Sequence, residues 1–326
     1  MLMTPEEERT IARWGEGIAN DILLGMVWTE DEPGRRIRSF CRALERLVPR
    51  LRIEDEEGSA ESVSEIRVRD NVRYRAVPEE RELEPFLRIL QSTEPLASDL
   101  PASLRELLQQ VDVPASIRVY ISPQCPFCPQ AVMQCLALAD ASAFCHVFVI
   151  DGTLFPDPAE KEGVRSVPTV ILDRAFRWTG PVRAEELVNM IVLRDPSQLG
   201  PESLEQMLHE GRAEDLARMM IERGKVFPAF LDLLVNRKWP VRLGAMVTFQ
   251  YLAESRPSLA SQVSHTLWDL FPRVDDTVKG DILYLFGESG DASLLPLLES
   301  VLEGPYPQEV KEAAQEAVKG LSEHAS

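Results

Sequence analysis

Two cysteines with two residues between them, Cys125-Pro126-Phe127-Cys128, are the part of this 326-residue chain best suited to chemistry. A strand is predicted over residues 117–121 and a helix over 126–139, so the pair stands where a strand hands over to a helix. A thiol at the amino end of a helix meets unpaired N–H groups and the positive end of the helix dipole, which favour the thiolate. Lowering its pKa from about 8.5 by three units raises the thiolate fraction at pH 7 from about 3% to about 97%. Only the thiolate attacks a disulfide. The spacing lets the second sulfur reach back from one turn into the helix, so Cys125 is the expected attacker and Cys128 the resolver. Pro126 has the φ of a first helical turn and no N–H to lose, and Phe127 supplies apolar surface beside the sulfur.

A zinc half-site and a pair of inert thiols are the alternatives. Zinc needs two more ligands, and the nearest Cys and His cluster, Cys145 with His146, is adjacent on a strand and points to opposite faces. Cys135 follows Cys128 by seven residues on the same helix face; it reads as a small core residue, as do Cys41 and Cys145, with a third redox thiol as the alternative. His209, His265 and His324 have no carboxylate or thiol partner that the sequence identifies. Phe176 and Trp178 read as hairpin packing. No Gly-rich phosphate loop or G-x-G-x-x-G fingerprint occurs, so no bound cofactor is expected and electrons must come from outside.

The positioning elements repeat. An amphipathic stretch at 5–20 precedes an apolar strand at 22–28. A helix after Pro33 follows, carrying Ile37, Phe40, Cys41, Leu44 and Leu47 at three- and four-residue steps. Leu51 and Ile53 give a short strand, and the acidic stretch 54–64 reads as a solvated loop. Ile66 and Val68, then Val72, Tyr74 and Ala76, alternate about an Asp70-Asn71 turn, and 79–91 is an amphipathic helix. A connecting helix is expected at 104–111. Strand, helix, strand, hairpin and helix then return at 117–121, 126–139, 144–150, 169–178 and 184–193.

Past Pro196 the strand signal stops. Val226, Phe230, Leu233 and Leu234 recur as Val263, Leu267, Leu270 and Phe271, and again as Leu294, Leu298, Val301 and Leu302. A second helix opens after each set at Val241-Arg242, Val278-Lys279 and Val310-Lys311. Helix pairs of this period bury their faces only by stacking on neighbours. An all-helical bundle is the alternative.

Apolar residues at 44% and charged residues at 27% are the proportions of a globular protein. The net charge of −18 repels a phosphate backbone, so nucleic acid is not an expected partner. No apolar run is long enough to span a membrane, and MLMTPEEERT lacks the basic and apolar regions of a signal peptide. Five cysteines are too few and too scattered for a secreted disulfide framework, so a reducing, cytoplasmic setting is expected.

Forty-three residues after Cys125 comes Ser166-Val167-Pro168-Thr169. With the CxxC at a helix start, this resembles the thioredoxin superfamily, in which a cis-proline loop faces the dithiol. The resemblance implies that Pro168 is cis and packs against the sulfurs, and that the Val167-Pro168-Thr169 segment binds an extended substrate through the Val167 backbone. Residues 20–195 are similar to double thioredoxin-fold proteins, the N-terminal domain of the alkyl hydroperoxide reductase flavoprotein subunit and the archaeal protein disulfide oxidoreductases. In the former only the second unit is active. Here the first unit has Glu30-Asp31-Glu32-Pro33 in place of CxxC and Val63-Ser64 in place of the cis-proline. Thioredoxin's buried acid is matched by Val119, and glutathione-holding basic residues are not recognisable. Residues from about 200 onward resemble short bacterial HEAT repeats.

The expected architecture is α/β, tandem thioredoxin-like folds followed by an all-α HEAT-like solenoid. Residues 1–110 form a degenerate unit without CxxC, 111–196 a redox-active unit and 197–326 helical repeats. The expected activity is thiol-disulfide exchange with a protein disulfide, a peroxiredoxin-like substrate among the candidates, with an external reductase and the solenoid as docking surface. A redox-sensing interaction scaffold without turnover is the alternative.

Overall fold

Period-two apolar alternation and helical stripes form where the sequence predicts them, and they pair in one repeated pattern. The computed structural model describes residues 3–59, 62–91 and 95–324, with side chains as far as Ser322. Helix α1 (Pro5–Glu16) opens on a reciprocal cap, in which the Thr4 hydroxyl accepts from the Glu7 N–H and the Glu7 carboxylate from the Thr4 N–H. β1 (Ile22–Trp28), α2 (Glu32–Leu47), β2 (Leu51–Glu57), β3 (Glu65–Arg69), β4 (Val72–Arg75) and α3 (Leu83–Leu90) follow. After α4 (Ala102–Leu108) come β5 (Ala115–Ile121), α5 (Cys128–Ala141), β6 (Cys145–Asp151), a short α6 (Pro156–Lys161), β7 (Thr169–Leu172), β8 (Phe176–Thr179) and α7 (Ala184–Leu193).

β1 runs parallel to β2 and antiparallel to β3, and β5 bears the same relation to β6 and β7. Parallel pairing of β4 with β6, Tyr74 opposite Val149, joins the two halves into one sheet of order β2-β1-β3-β4-β6-β5-β7-β8. Leu24, Met26, Ile37, Phe40 and Leu44 of the first half and Ile117, Val119, Val132 and Leu136 of the second are buried in one continuous core. The chain separates into two compact units, Met1–Arg194 and Asp195–Ser326. At the end of the first, the buried Arg194 guanidinium lies 3.2 Å from the Asp173 carboxylate and donates to the Val113 and Pro114 carbonyls.

Several boundaries of the first unit differ from expectation. β2 runs on through Glu54 to Glu57, which pair with Gly25 to Trp28, so part of the acidic stretch is strand rather than loop. It is an edge strand, where exposed carboxylates deter the addition of another chain. Residues 60 and 61 of that stretch lie outside the described residues. The helix expected over 79–91 begins only at Leu83, after a 3₁₀ turn at Glu80–Glu82, because Pro85 has no N–H for an earlier α-helical start. The connecting helix ends at Leu108.

The second unit is helical throughout: α8 (Pro201–His209) and α9 (Ala213–Arg223), α10 (Pro228–Leu234) and α11 (Trp239–Ser255), α12 (Pro257–Leu270) and α13 (Asp276–Glu288), α14 (Leu295–Glu303) and α15 (Gln308–His324). Phe230, Leu233, Val263, Leu267, Leu298 and Val301, the recurrent apolar positions, are buried. The Val-Arg step also has structural work: Val241 is buried, and the Arg242 guanidinium reaches Asp281 of α13 at 2.7 Å and the Asn236 carbonyl at 2.6 Å. His265, left without a partner by the sequence, lies 3.2 Å from the Ser293 hydroxyl and 3.4 Å from the Asp291 carboxylate, because the turn before α14 folds back on α12. The side chain of His324 lies outside the described residues.

Candidate functional site

α5 begins at Cys128, not at residue 126. A helix starting at 126 would need the N–H of residue 129 to bond the Cys125 carbonyl, and Pro129 has none. With Cys128 first, Pro129 occupies a first-turn position where the missing donor costs nothing. Pro126 and Phe127 therefore form the turn leading into the helix, and Cys125 sits on that turn, its N–H bonded to the Ser122 carbonyl at 3.0 Å.

The cysteines occupy different environments. Cys125 is partly exposed, whereas Cys128 is buried under it and its thiol is hydrogen-bonded to Cys125. Burial, then that bond, pushes the Cys128 thiol well above the ordinary range. Both are free thiols. The Val167–Pro168 bond is cis, as the resemblance implied, and the Cys125 thiol donates to the Val167 carbonyl across 3.6 Å. The loop is held from behind: Gly180 N–H donates to the Pro168 carbonyl at 2.8 Å, and the Thr169 hydroxyl to the Ser166 carbonyl at 2.8 Å. Thr169 is buried, so its side chain braces the loop from within. Pro126 and Phe127 face outward, Phe127 with 60% of its surface exposed beside the reactive pair. Thus Cys125, Cys128, Val167 and Pro168 converge, with Phe127 on the rim.

Cys41, Cys135 and Cys145 are fully buried, and burial pushes each thiol up to about 12. They behave as core residues. Among the described residues, no cluster of three or more His, Cys, Asp or Glu side chains suited to a metal ion occurs.

One buried acid that the sequence pattern did not single out lies close enough to the dithiol to bear on Cys128. Glu82, at the end of the 3₁₀ turn of the first half, is fully buried, and among the described residues neither carboxylate oxygen has a hydrogen-bond partner. Burial, reinforced by the charge of Asp151, pushes it up to about 7, and its own charge contributes to the raised pKa of Cys128. The buried Tyr74 hydroxyl, also without a hydrogen-bond partner among the described residues, is raised by burial and then by Glu82. A signal was present: Glu82 lies on the stripe 82, 86, 89 and 90 that buries Phe86, Ile89 and Leu90.

At the equivalent place in the first half a polar clasp stands instead of sulfur. Asp31 caps α2, accepting from the Gly34 N–H at 2.8 Å and the Thr29 hydroxyl at 2.7 Å, while the buried Ser64 hydroxyl pairs with that of Thr29 at 2.7 Å. Any side chain on Gly34 would strike the Thr29 carbonyl, at 2.0 Å from a Cβ. Asp31→Ala is expected to lower stability by about 1 kcal/mol in urea unfolding and to leave Cys125 alkylation kinetics unchanged. Slower alkylation would give the first half a chemical role.

Residues 115–193, which hold the dithiol and the cis-proline loop, match the family model described as thioredoxin domain and have a thioredoxin-like fold. The fold of the first unit extends the likeness. The NTD_N/C domain of the alkylhydroperoxide reductase AhpF from Enterococcus faecalis V583 is similar over 58% of this chain and 99% of its own, at 18% identity and a TM-score of 0.50. A protein disulfide oxidoreductase from Aeropyrum pernix K1 is similar over 58% of this chain and 92% of its own, at 19% identity and a TM-score of 0.50. No curated protein gives a match.

Proposed function

We propose that the chain is a dithiol-disulfide oxidoreductase acting on a protein disulfide through Cys125 and Cys128. One observation carries the reading: a partly exposed thiol faces the carbonyl before a cis-proline, with a second thiol buried directly behind it. In the forward cycle the Cys125 thiolate attacks one sulfur of the partner disulfide, forming an intermolecular S–S bond and expelling the other sulfur as a thiolate. Cys128 then gives up its proton and attacks the Cys125 sulfur, releasing the partner's second thiolate, which takes up a proton. The partner gains two electrons and two protons, and the chain keeps a Cys125–Cys128 disulfide. An external dithiol donor or reductase restores it, in keeping with a reducing, cytoplasmic setting and with the names of the similar structures. Val167 and Pro168 form the floor on which the partner segment lies, and Phe127 its apolar rim.

In the same reading, residues 1–110 and 111–196 are two copies of one unit, the first retained for its structure and for Glu82. Residues 197–326 are a HEAT-like solenoid that holds the partner. The exposed Trp239 and Leu243, one turn apart on α11, with Tyr284 on α13, suit that docking role. Among the described residues no helix is long and apolar enough to cross a membrane.

Insulin reduction with dithiothreitol as donor tests the proposal. Turnover is expected in the wild type and should be lost in Cys125→Ser. Turnover that survives the substitution refutes the catalytic reading; none in either protein, with partner binding that follows thiol state, supports the sensing scaffold.

A further inference from the structure

Far from the sulfurs in chemistry, the first unit carries a second feature with recognisable chemistry, a groove of about 630 Å³ between α1 and α3. The Glu7 carboxylate of α1 accepts from Thr4 and from the Glu80 N–H, which brings the two helix starts together and makes the helices run side by side. Leu83, Leu87 and the Trp14 ring give the groove an apolar floor. The Trp14 ring is half-buried in that floor, and its indole N–H reports on whatever fills the groove.

The charge around this floor is one-sided. Glu6, Glu80 and Glu84 line the groove with carboxylates that are in no ion pair among the described residues. Of the two guanidiniums at the border, Arg88 is paired with Asp99 at 3.1 Å, and Arg13, in no ion pair among the described residues, lies near the other end of α1. An occupant must therefore offer apolar contact and positive charge. A groove between two neighbouring helices, of a volume typical of binding sites, is also the shape that receives a third amphipathic helix. We infer that the α1–α3 groove binds a basic amphipathic helix of a partner protein, with its Lys or Arg residues on Glu6, Glu80 and Glu84 and its apolar face on Leu83, Leu87 and the Trp14 ring. This inference is independent of the dithiol chemistry.

The test is a titration of the ¹⁵N-labelled full chain with a fourteen-residue leucine-lysine helical peptide, followed at the Trp14 indole N–H signal. Trp14→Phe identifies that signal among the five tryptophans. The peptide should move it to saturation at one equivalent. Glu6→Lys with Glu84→Lys, two exposed positions without partners, should weaken binding about tenfold. The leucine-glutamate counterpart should leave the signal in place. Peptide binding that leaves the Trp14 signal unmoved, unchanged affinity in the double variant, or equal binding of the acidic peptide would each overturn the inference.

Discussion

A Cys128→Ser variant should accumulate as a covalent adduct with its protein substrate, joined through Cys125 and released by dithiothreitol. The expectation follows from the division of labour at the site. Cys125 is the accessible sulfur, next to Val167 and Pro168, and its attack on a disulfide needs nothing from residue 128. Release does need it, because only a sulfur behind Cys125 can displace the partner, and a serine hydroxyl at that place is too weak a nucleophile. Turnover should fall by about 10³-fold or more in either single variant, but only Cys128→Ser should yield the adduct. Non-reducing electrophoresis of extract passed over the immobilised variant measures it, and the captured protein identifies the substrate. Adduct in the Cys125→Ser variant and none in Cys128→Ser would reverse the assigned roles. Adding Trp239→Ala and Leu243→Ala should reduce the captured amount if α11 helps to hold the partner.

Much of this arrangement is legible in residue order because it depends on local periodicity. The strands at Ile22–Trp28 and Ala115–Ile121, the repeated order of elements and the helix Ala184–Leu193 all follow from alternation and apolar stripes. The two motifs, CxxC and Val167-Pro168, could be joined because a resemblance linked them; spacing alone does not bring residues 125 and 167 together. The start of α5 was misplaced because two prolines compete for the first turn, and the position of Pro129 rather than Pro126 decides it. Glu82 could not be assigned to the dithiol at all. It belongs to the other half of the chain and arrives there through the β4–β6 pairing, a contact between halves that no local pattern encodes.

That carboxyl makes the second large effect predictable. Deprotonating Cys128 on its own would place a negative charge in a buried site, which is why the thiol is held so high. If the proton passes to the Glu82 carboxylate as the mixed disulfide resolves, the buried charge stays at one throughout, and the thiolate forms as the acid becomes neutral. The resolving step in the wild type should therefore quicken as pH rises through about 7, where Glu82 ionises. Glu82→Gln should remove that inflexion and slow resolution about 10²-fold at pH 7.5, measured by stopped-flow release of a preformed mixed disulfide. The same residue should act in the opposite direction on stability. Its folded value of about 7 lies above the ordinary 4.5, so the neutral carboxyl suits the fold, and the stability it contributes is complete below 4.5 and lost as pH climbs past 7. Relative to Glu82→Gln, the wild type should lose about 3 kcal/mol between pH 4.5 and pH 8 in urea unfolding. Slower resolution with that gain in alkaline stability would mark Glu82 as a proton acceptor kept at a cost to the fold. An unchanged inflexion would assign the titration to another group and leave Glu82 a buried acid without a part in the exchange.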